Sequence, residues 1–172
     1  TRRGGALVLA RGRPFDASSE AAKSFAIVEP VRWGETTLRQ LGWQLTPEGQ
    51  SSPVLPFGKS EDDGHILTEL PDMLAATMVQ QEKAASVVLL RQSTHAEGDG
   101  NPMAAVVSQR VGSGRVFAVL SDGLWRWAML PSALKQHDSV FQHFWSRAIH
   151  WLAAGDEFLP GQSVELNVSE LA

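Results

Sequence analysis

The stretch G-S-G-R-V-F-A-V-L-S-D-G-L-W-R-W, residues 112–127, decides the predicted fold class. It begins with a glycine-rich turn between two strand-like runs, Met103–Arg110 and Arg115–Leu120, and such a pattern predicts a β-hairpin. Its second half, Ser121–Trp127, crowds acidic, basic and indole groups just past the end of the second run. Because open α/β sheets place ligand sites at the carboxyl ends of their strands, this segment is the leading candidate for a functional site.

Towards the N-terminus, the continuous apolar run Ala6–Ala10 predicts a strand that is buried on both faces. The loop Arg11–Pro14 follows it, and then Ser18 or Ser19 can cap a short helix that ends near Phe25. The result is a β-loop-α unit. Backbone amides and guanidinium groups in such a loop can receive a carboxylate or a phosphate.

The middle of the chain predicts an extended, irregular segment from Pro30 to Pro56, followed by strands at Leu74–Val79 and Ser86–Gln92. A final helix is predicted from an N-cap at Asp138 to a stop at Gly155. One face of this helix is apolar and the opposite face is polar. The apolar face carries Phe141, Phe144, Trp145, Ala148 and Leu152, and the polar face His143, Ser146, Arg147 and His150. Such a pattern predicts an amphipathic helix packed on a sheet.

Composition narrows the classes of function. The 172 residues are 43% hydrophobic, which suits one full-sized domain, and the formal net charge of -4 gives no basic field for nucleic acid. The chain contains no cysteine, so disulfides, thiolate metal sites and a cysteine nucleophile are excluded. No apolar run approaches the roughly 20 residues that a membrane-spanning helix needs. We therefore predict no nucleic-acid partner and no membrane contact by this segment.

Four segments together carry a family resemblance: R-G-G-A-L-V-L-A-R-G-R-P-F at 3–15, L-T-P-E-G at 45–49, the stretch 112–127, and F-Q-H-F-W-S-R-A-I-H-W-L at 141–152. In order and spacing they resemble the glutamine amidotransferase-like domain of large uncharacterised bacterial proteins, which are often membrane-anchored. The resemblance implies a class I amidotransferase-like, flavodoxin-like α/β fold. That fold has a mostly parallel sheet with flanking helices, to which the hairpin is added.

The resemblance also implies a domain organisation. Residues 1–158 would form the amidotransferase-like domain, truncated at its N-terminus because the family has a further β-α segment before the first strand. Residues 159–172 would be a linker and the first strand of a following β domain. Leu159-Pro160-Gly161 breaks the helical pattern, and Ser163–Val168 alternates like a half-exposed strand. The partners implied are other domains of the same polypeptide.

Active amidotransferases use a cysteine on a tight strand-to-helix turn, together with a His-x-Glu pair after a later strand. The turn that corresponds here is Ala10–Arg13, which has no cysteine, and no His-x-Glu occurs in the chain. A glutaminase needs a nucleophile that forms a thioester, and a serine in its place would still need a positioned base. The chain is therefore predicted not to be a functional glutaminase.

Five residues form the predicted ligand site: Arg11, Gly12, Asp122, Trp125 and Arg126. An arginine there could hold an anion while an indole stacks on a sugar or amide. The competing interpretation is that Asp122 pairs locally with Arg126 and that the indoles pack on the final helix. We predict no metal and no cofactor, because Arg147 lies where the second ligand of a helical His-x-x-x-His chelate would be.

These observations favour a non-catalytic binding or scaffolding module of a larger bacterial protein. The alternative is a hydrolase or a carbohydrate-active enzyme that uses a cleft around Asp122 and Arg126, with Asp122 or His143 as the acting group. A carboxylate of raised pKa in a formed cleft would favour the enzyme. A third possibility, a purely structural spacer, predicts no cleft.

Overall fold

The computed structural model describes residues 4–57, 63–94 and 102–154. The six strands are β1 Ala6–Ala10, β2 Val31–Leu45, β3 Met73–Glu82, β4 Ser86–Thr94, β5 Met103–Val111 and β6 Gly114–Val119. The α-helices are α1 Glu20–Phe25, α2 Pro47–Ser51, α3 Asp63–Glu69 and α4 Val140–Ala153, and two 3₁₀ helices span Leu124–Ala128 and Ser132–His137. The predicted tail at 159–172 lies outside the described residues. Within those ranges no helix is long and apolar enough to span a membrane.

The strands form one sheet in the order β1-β6-β5-β4-β2-β3. Only β1 and β6 pair in parallel, and every other neighbouring pair is antiparallel. The predicted mostly parallel, flavodoxin-like sheet is therefore wrong. The physical reason is the length of the connections: β3–β4 and β5–β6 are joined by tight turns, which bring strands together antiparallel, whereas parallel neighbours need a long crossover.

Strand β2 gives the sheet its curl. It runs for 15 residues, pairing with β3 from Val31 to Leu41 and with β4 from Leu41 to Leu45. Its register against β3 shifts twice, and Gln40 adopts a positive φ of 54°. Such irregularities bend a strand and increase its twist. The sheet consequently curls into a half-barrel. The segment Pro30–Pro56, which the sequence predicts to be extended and irregular, thus contains the longest strand, β2.

The sheet has a well-covered face and a sparsely covered one. On the first face α2, α3, α4 and the 3₁₀ helix Leu124–Ala128 enclose a core that is rich in aromatic rings. Its largest buried side chains include Phe117, Trp127 and Phe144. The second face holds a smaller apolar cluster from β1, β2, β4, β5 and β6, and the helix nearest to it in sequence, α1, contributes no buried residue.

Local sequence signals predict the positions of α1 and α4. Ser19 caps α1, since its hydroxyl accepts a hydrogen bond of 3.1 Å from the amide of Ala22. Helix α4 begins after Ser139, one residue later than the predicted cap at Asp138. Its predicted apolar face is confirmed, because Phe144, Ala148 and Leu152 are buried while Phe141 and Trp145 pack against the core, and those five residues lie along one side.

A carboxylate links α3 to the second 3₁₀ helix. Glu69 lies 2.8 Å from the ring of His137 and 3.4 Å from that of His65. The hydrogen bond to His137 lowers the pKa of Glu69 from its usual value, with a smaller effect from the charge of both histidines. The stabilisation is thus present above the ordinary carboxylate pKa and is lost as the pH falls through the lowered value.

We therefore expect Glu69→Gln to lower the melting temperature slightly at neutral pH and to have no effect at a pH below the lowered pKa of Glu69. Differential scanning calorimetry at the two pH values measures this. Exposed ion pairs are weak, so the difference is small and should shrink further in high salt. A Glu69→Gln difference that persists undiminished in strong acid would contradict this assignment.

Candidate functional site

Asp122 and Gly12 meet at one end of the sheet. Gly12 follows β1 and Asp122 follows β6, and these two strands lie side by side in parallel. Both chain segments therefore leave the sheet at the same end, where the carboxyl ends of β1 and β6 lie. The amide of Gly12 donates a hydrogen bond of 2.9 Å to Oδ1 of Asp122. The carboxylate thus binds the backbone of the neighbouring loop.

Strand β3, at the opposite edge of the sheet from β1, curls round to contact Gly12 and Asp122. The amide of Asp122 donates to the carbonyl of Ala75 at 2.8 Å, and the carbonyl of Asp122 accepts from the amide of Leu74 at 2.9 Å. The amide of Thr77 donates to the carbonyl of Gly12 at 2.5 Å. Strand β3 is therefore tied to the segments that follow β1 and β6. We call this set, Gly12, Leu74, Ala75, Thr77 and Asp122, the junction.

Two glycines permit this close approach. A Cβ on Gly12 would lie 2.8 Å from the carbonyl oxygen of Ala75 and 2.8 Å from the amide nitrogen of Asp122. Gly123 has a φ of +109°, and a Cβ there would lie 2.8 Å from the amide nitrogen of Leu74. Side chains are excluded at both positions by backbone atoms, which cannot rotate away. The glycines next to Arg11 and Asp122 thus serve the packing of two backbones.

The aromatic and basic residues after Asp122 point to different places. Trp125 is 54% exposed, whereas Trp127 is fully buried and its indole N–H donates to the carbonyl of Pro71 at 3.2 Å. Arg126 is partly buried and donates to the carbonyl of Asp72 at 2.6 Å. The hydrogen bond found at Arg126 is to the backbone, so the predicted local pairing with Asp122 is not what holds this guanidinium.

Arg11 turns to the sparsely covered face of the sheet. Its Nη2 lies 2.5 Å from Oε1 of Glu29, and its guanidinium carbon lies 3.9 Å from the ring centre of Phe15 and 5.6 Å from that of Trp33. Its other terminal nitrogen donates to the carbonyl of Arg13. Burial lowers the pKa of Arg11, and the charge and hydrogen bond of Glu29 oppose that effect. Arg11 and Asp122 therefore belong to two separate sites.

Sequence reasoning missed Glu29 and Trp33. Glu29 is 9% exposed, and its Oε1 also accepts a hydrogen bond of 2.5 Å from the indole N–H of Trp33. A usable signal existed, because Glu29 stands alone after the apolar run Ala26–Val28 and just before a strand. A buried carboxylate needs a partner, and the nearest arginine in the preceding loop is Arg13 or Arg11.

The polar side of α4 carries no metal centre. Arg147 donates to the carbonyl of Leu55 at 3.1 Å, and the ring of His150 bonds to the carbonyl of Ser146 at 2.7 Å. His143 is exposed. Across the ranges 4–57, 63–94 and 102–154, no group of three histidine, aspartate or glutamate side chains is placed to hold a metal ion.

The junction has the bonding of a structural element. Asp122 bonds to backbone groups of two other segments, the loop after β1 and strand β3, and a Cβ on Gly12 would meet backbone atoms and the Asp122 carboxyl group. Such contacts fix the positions of the strands relative to one another. No family model, no curated protein and no solved structure matches this chain.

Proposed function

We propose that this chain is a non-catalytic, glutamine amidotransferase-like module that binds or scaffolds other domains of a larger bacterial protein. Sequence segments 3–15, 45–49, 112–127 and 141–152 support the family likeness by their order and spacing. The curled, mostly antiparallel sheet differs from the flavodoxin-like fold of that class, so the likeness is carried by the residues alone. The observation that carries the proposal is the structural use of Asp122 and Gly12 at the junction.

Exposed apolar side chains in the junction and in the segment that follows it support an association role. Leu74, Trp125 and Met129 are 45%, 54% and 73% exposed, and they lie on β3 or in the segment just after Gly123. Large apolar side chains that remain in water favour contact with another protein surface. A neighbouring domain of the same polypeptide is the partner that the resemblance implies.

The alternative remains a hydrolase or carbohydrate-active enzyme with a cleft around Asp122 and Arg126. The exposure of Trp125 favours it, since an exposed indole next to a carboxylate can stack on a sugar ring. Against it, the guanidinium of Arg126 bonds to the backbone of Asp72. The two proposals differ in what the Asp122 carboxylate does, which a substitution can test.

We expect Asp122→Ala to lower the free energy of unfolding by about 1–3 kcal/mol, because it leaves the Gly12 amide without its acceptor. Denaturant unfolding followed by far-ultraviolet circular dichroism measures this. Asp138→Ala is the matched control, because Asp138 is exposed and lies before the start of α4. We expect it to change the free energy of unfolding by less than about 0.5 kcal/mol.

The same variants decide between the two proposals. Purified protein should hydrolyse neither glutamine nor chromogenic ester and glycoside substrates, with or without Asp122. Hydrolysis that Asp122→Ala abolishes while stability stays unchanged would overturn the non-catalytic assignment. Association is tested by titrating the chain with separately expressed neighbouring domains of the parent protein. Trp125→Glu should weaken this binding. Lys135→Glu, at an exposed position on the second 3₁₀ helix, is the control and should leave the binding unchanged.

A further inference from the structure

A cavity of about 450 Å³ lies on the sparsely covered face of the sheet, beside α1. The segment between β1 and β2 forms one wall, through Phe15, Ala17, Ala22 and Ala26, and β2 forms another. Its volume is in the range of small-molecule sites. It is separate from the junction, because neither Asp122 nor any other junction residue lines it.

A buried ion pair stands at the wall of this cavity. Glu29 lines the cavity, and the side chains of Arg11 and Glu29 are only 16% and 11% exposed. Nε of Arg11 is buried with no hydrogen-bond partner among the described residues. Removing charges from water is costly, and packed apolar residues would often be at least as stable. An incompletely satisfied buried ion pair at a cavity wall is therefore typical of a functional site.

The walls divide into an apolar part and a cationic part. Phe15 and Trp33 present aromatic rings, and the small side chains of Ala22 and Ala26 leave the space open. The cationic part consists of Arg32, whose residue is exposed, and Lys83. The ammonium of Lys83 donates to the carbonyl of Ala26 at 2.6 Å, which uses one of its three N–H donors.

Charge determines the class of ligand. The negative charge of Glu29 is offset by Arg11 at 2.5 Å, so Arg32 and Lys83 leave the cavity with a net positive charge. An anionic group would therefore be attracted to the cationic part, and the apolar remainder of the ligand would pack on Trp33.

We propose that this cavity binds a small amphiphilic monoanion, namely a carboxylate attached to a planar apolar body. The carboxylate lies against Lys83 and Arg32, and the planar body lies against Trp33 over the floor formed by Ala22 and Ala26. This proposal is independent of the scaffolding role and of the junction. It makes the face under α1 a ligand site.

Three probes of one shape test the charge requirement: indole-3-acetate, the neutral indole-3-acetamide and the cation tryptamine. Isothermal titration of the full chain should show binding of indole-3-acetate at least about tenfold tighter than that of either other probe, a difference of about 1.4 kcal/mol. In heteronuclear NMR spectra the indole N–H signal of Trp33 should shift with indole-3-acetate. Equal affinity for the three probes, or no binding at millimolar concentration, would overturn the proposal.

Two substitutions test the location. Ala22→Leu fills the cavity from a helical position that tolerates leucine, and Lys83→Gln removes a cation, so each should weaken indole-3-acetate binding at least about tenfold. Ala133→Leu and Lys135→Gln, on the second 3₁₀ helix, are the matched controls and should bind normally. Melting curves establish that each variant is folded. Unchanged binding in folded Lys83→Gln would contradict the proposal even if Ala22→Leu failed to fold.

Discussion

Replacing Trp127 by alanine is expected to lower the free energy of unfolding by about 3–5 kcal/mol. Trp127 is fully buried, and its ring centre lies 5.4 Å from that of Trp43, 6.0 Å from Phe144 and 6.2 Å from Phe57. It thereby joins β2, the segment after α2 and α4 in a single core. Its removal leaves a large cavity and frees the carbonyl of Pro71. Guanidinium unfolding measures the loss.

Trp125→Ala is the matched control, because the same side chain is removed two residues away. Trp125 is 54% exposed, so its loss should change the free energy of unfolding by less than about 0.5 kcal/mol. The pair of variants separates core packing from surface function within one short segment. If Trp125→Ala were the more damaging change, the assignment of Trp127 to the core would be wrong.

Gly49→Ala is expected to cost about 3 kcal/mol or more, the upper end of the range for overpacked sites. Gly49 is buried in α2, and a Cβ there would lie 2.0 Å from the carbonyl oxygen of Leu89 and 2.9 Å from Cδ1 of Leu45. The backbone of β4 cannot rotate away from the added methyl group, so α2 must move off the sheet. That movement would also strain the cap, in which the Gly49 amide donates to the Thr46 hydroxyl at 2.9 Å.

Gly5→Ala supplies the control for Gly49→Ala. A Cβ on Gly5 meets no atom within 4 Å, and its φ is not in the positive range. The added methyl group therefore has space, and the lower flexibility of the unfolded chain should stabilise the protein by up to about 1 kcal/mol. Equal unfolding free energies for the Gly5 and Gly49 variants would show that α2 does not pack on β4 as described.

Local signals in the sequence predict the hairpin and the helices α1 and α4, whereas α2, Pro47–Ser51, lies where a turn is predicted. The tip at Gly112-Ser113 joins two strands whose predicted bounds agree with β5 and β6 to within a residue, and Gly112 has the positive φ that such turns favour. The period of α4 likewise identifies its buried side. In each case neighbouring residues suffice, because the interaction that forms the element is short in sequence.

Whether neighbouring strands run parallel or antiparallel depends on residues that are far apart in the sequence. Local sequence patterns do not reveal this. Strand β2 does not show a regular alternation of apolar and polar residues, because it changes its pairing partner at Leu41 and has a positive φ at Gln40. Its alternation therefore looks imperfect from end to end. The apolar run of β1 predicts a strand buried on both faces, yet β1 is an edge strand and Val8 is 40% exposed.

The candidate site is partly predictable. Gly12 and Asp122 meet because each follows one of two adjacent parallel strands. The sequence-based expectation of a site at the carboxyl ends of strands predicts this meeting. The separation of Arg11 from Asp122 is not visible in the sequence. Arg11 points to Glu29, 18 residues away, and this contact depends on how the segment between β1 and β2 crosses the sheet.

Gly12 and Asp122, two of the five predicted ligand residues, tie edge strand β3 to the segments that follow β1 and β6. Amide hydrogen exchange by NMR tests this arrangement most directly, at the amides of Gly12, Leu74, Thr77 and Asp122. We expect all four to exchange as slowly as amides in the central strand β5, and Asp122→Ala to speed exchange at Gly12. Exchange at the rate of an exposed loop in the unmodified protein would show that the edges do not meet and would contradict the account.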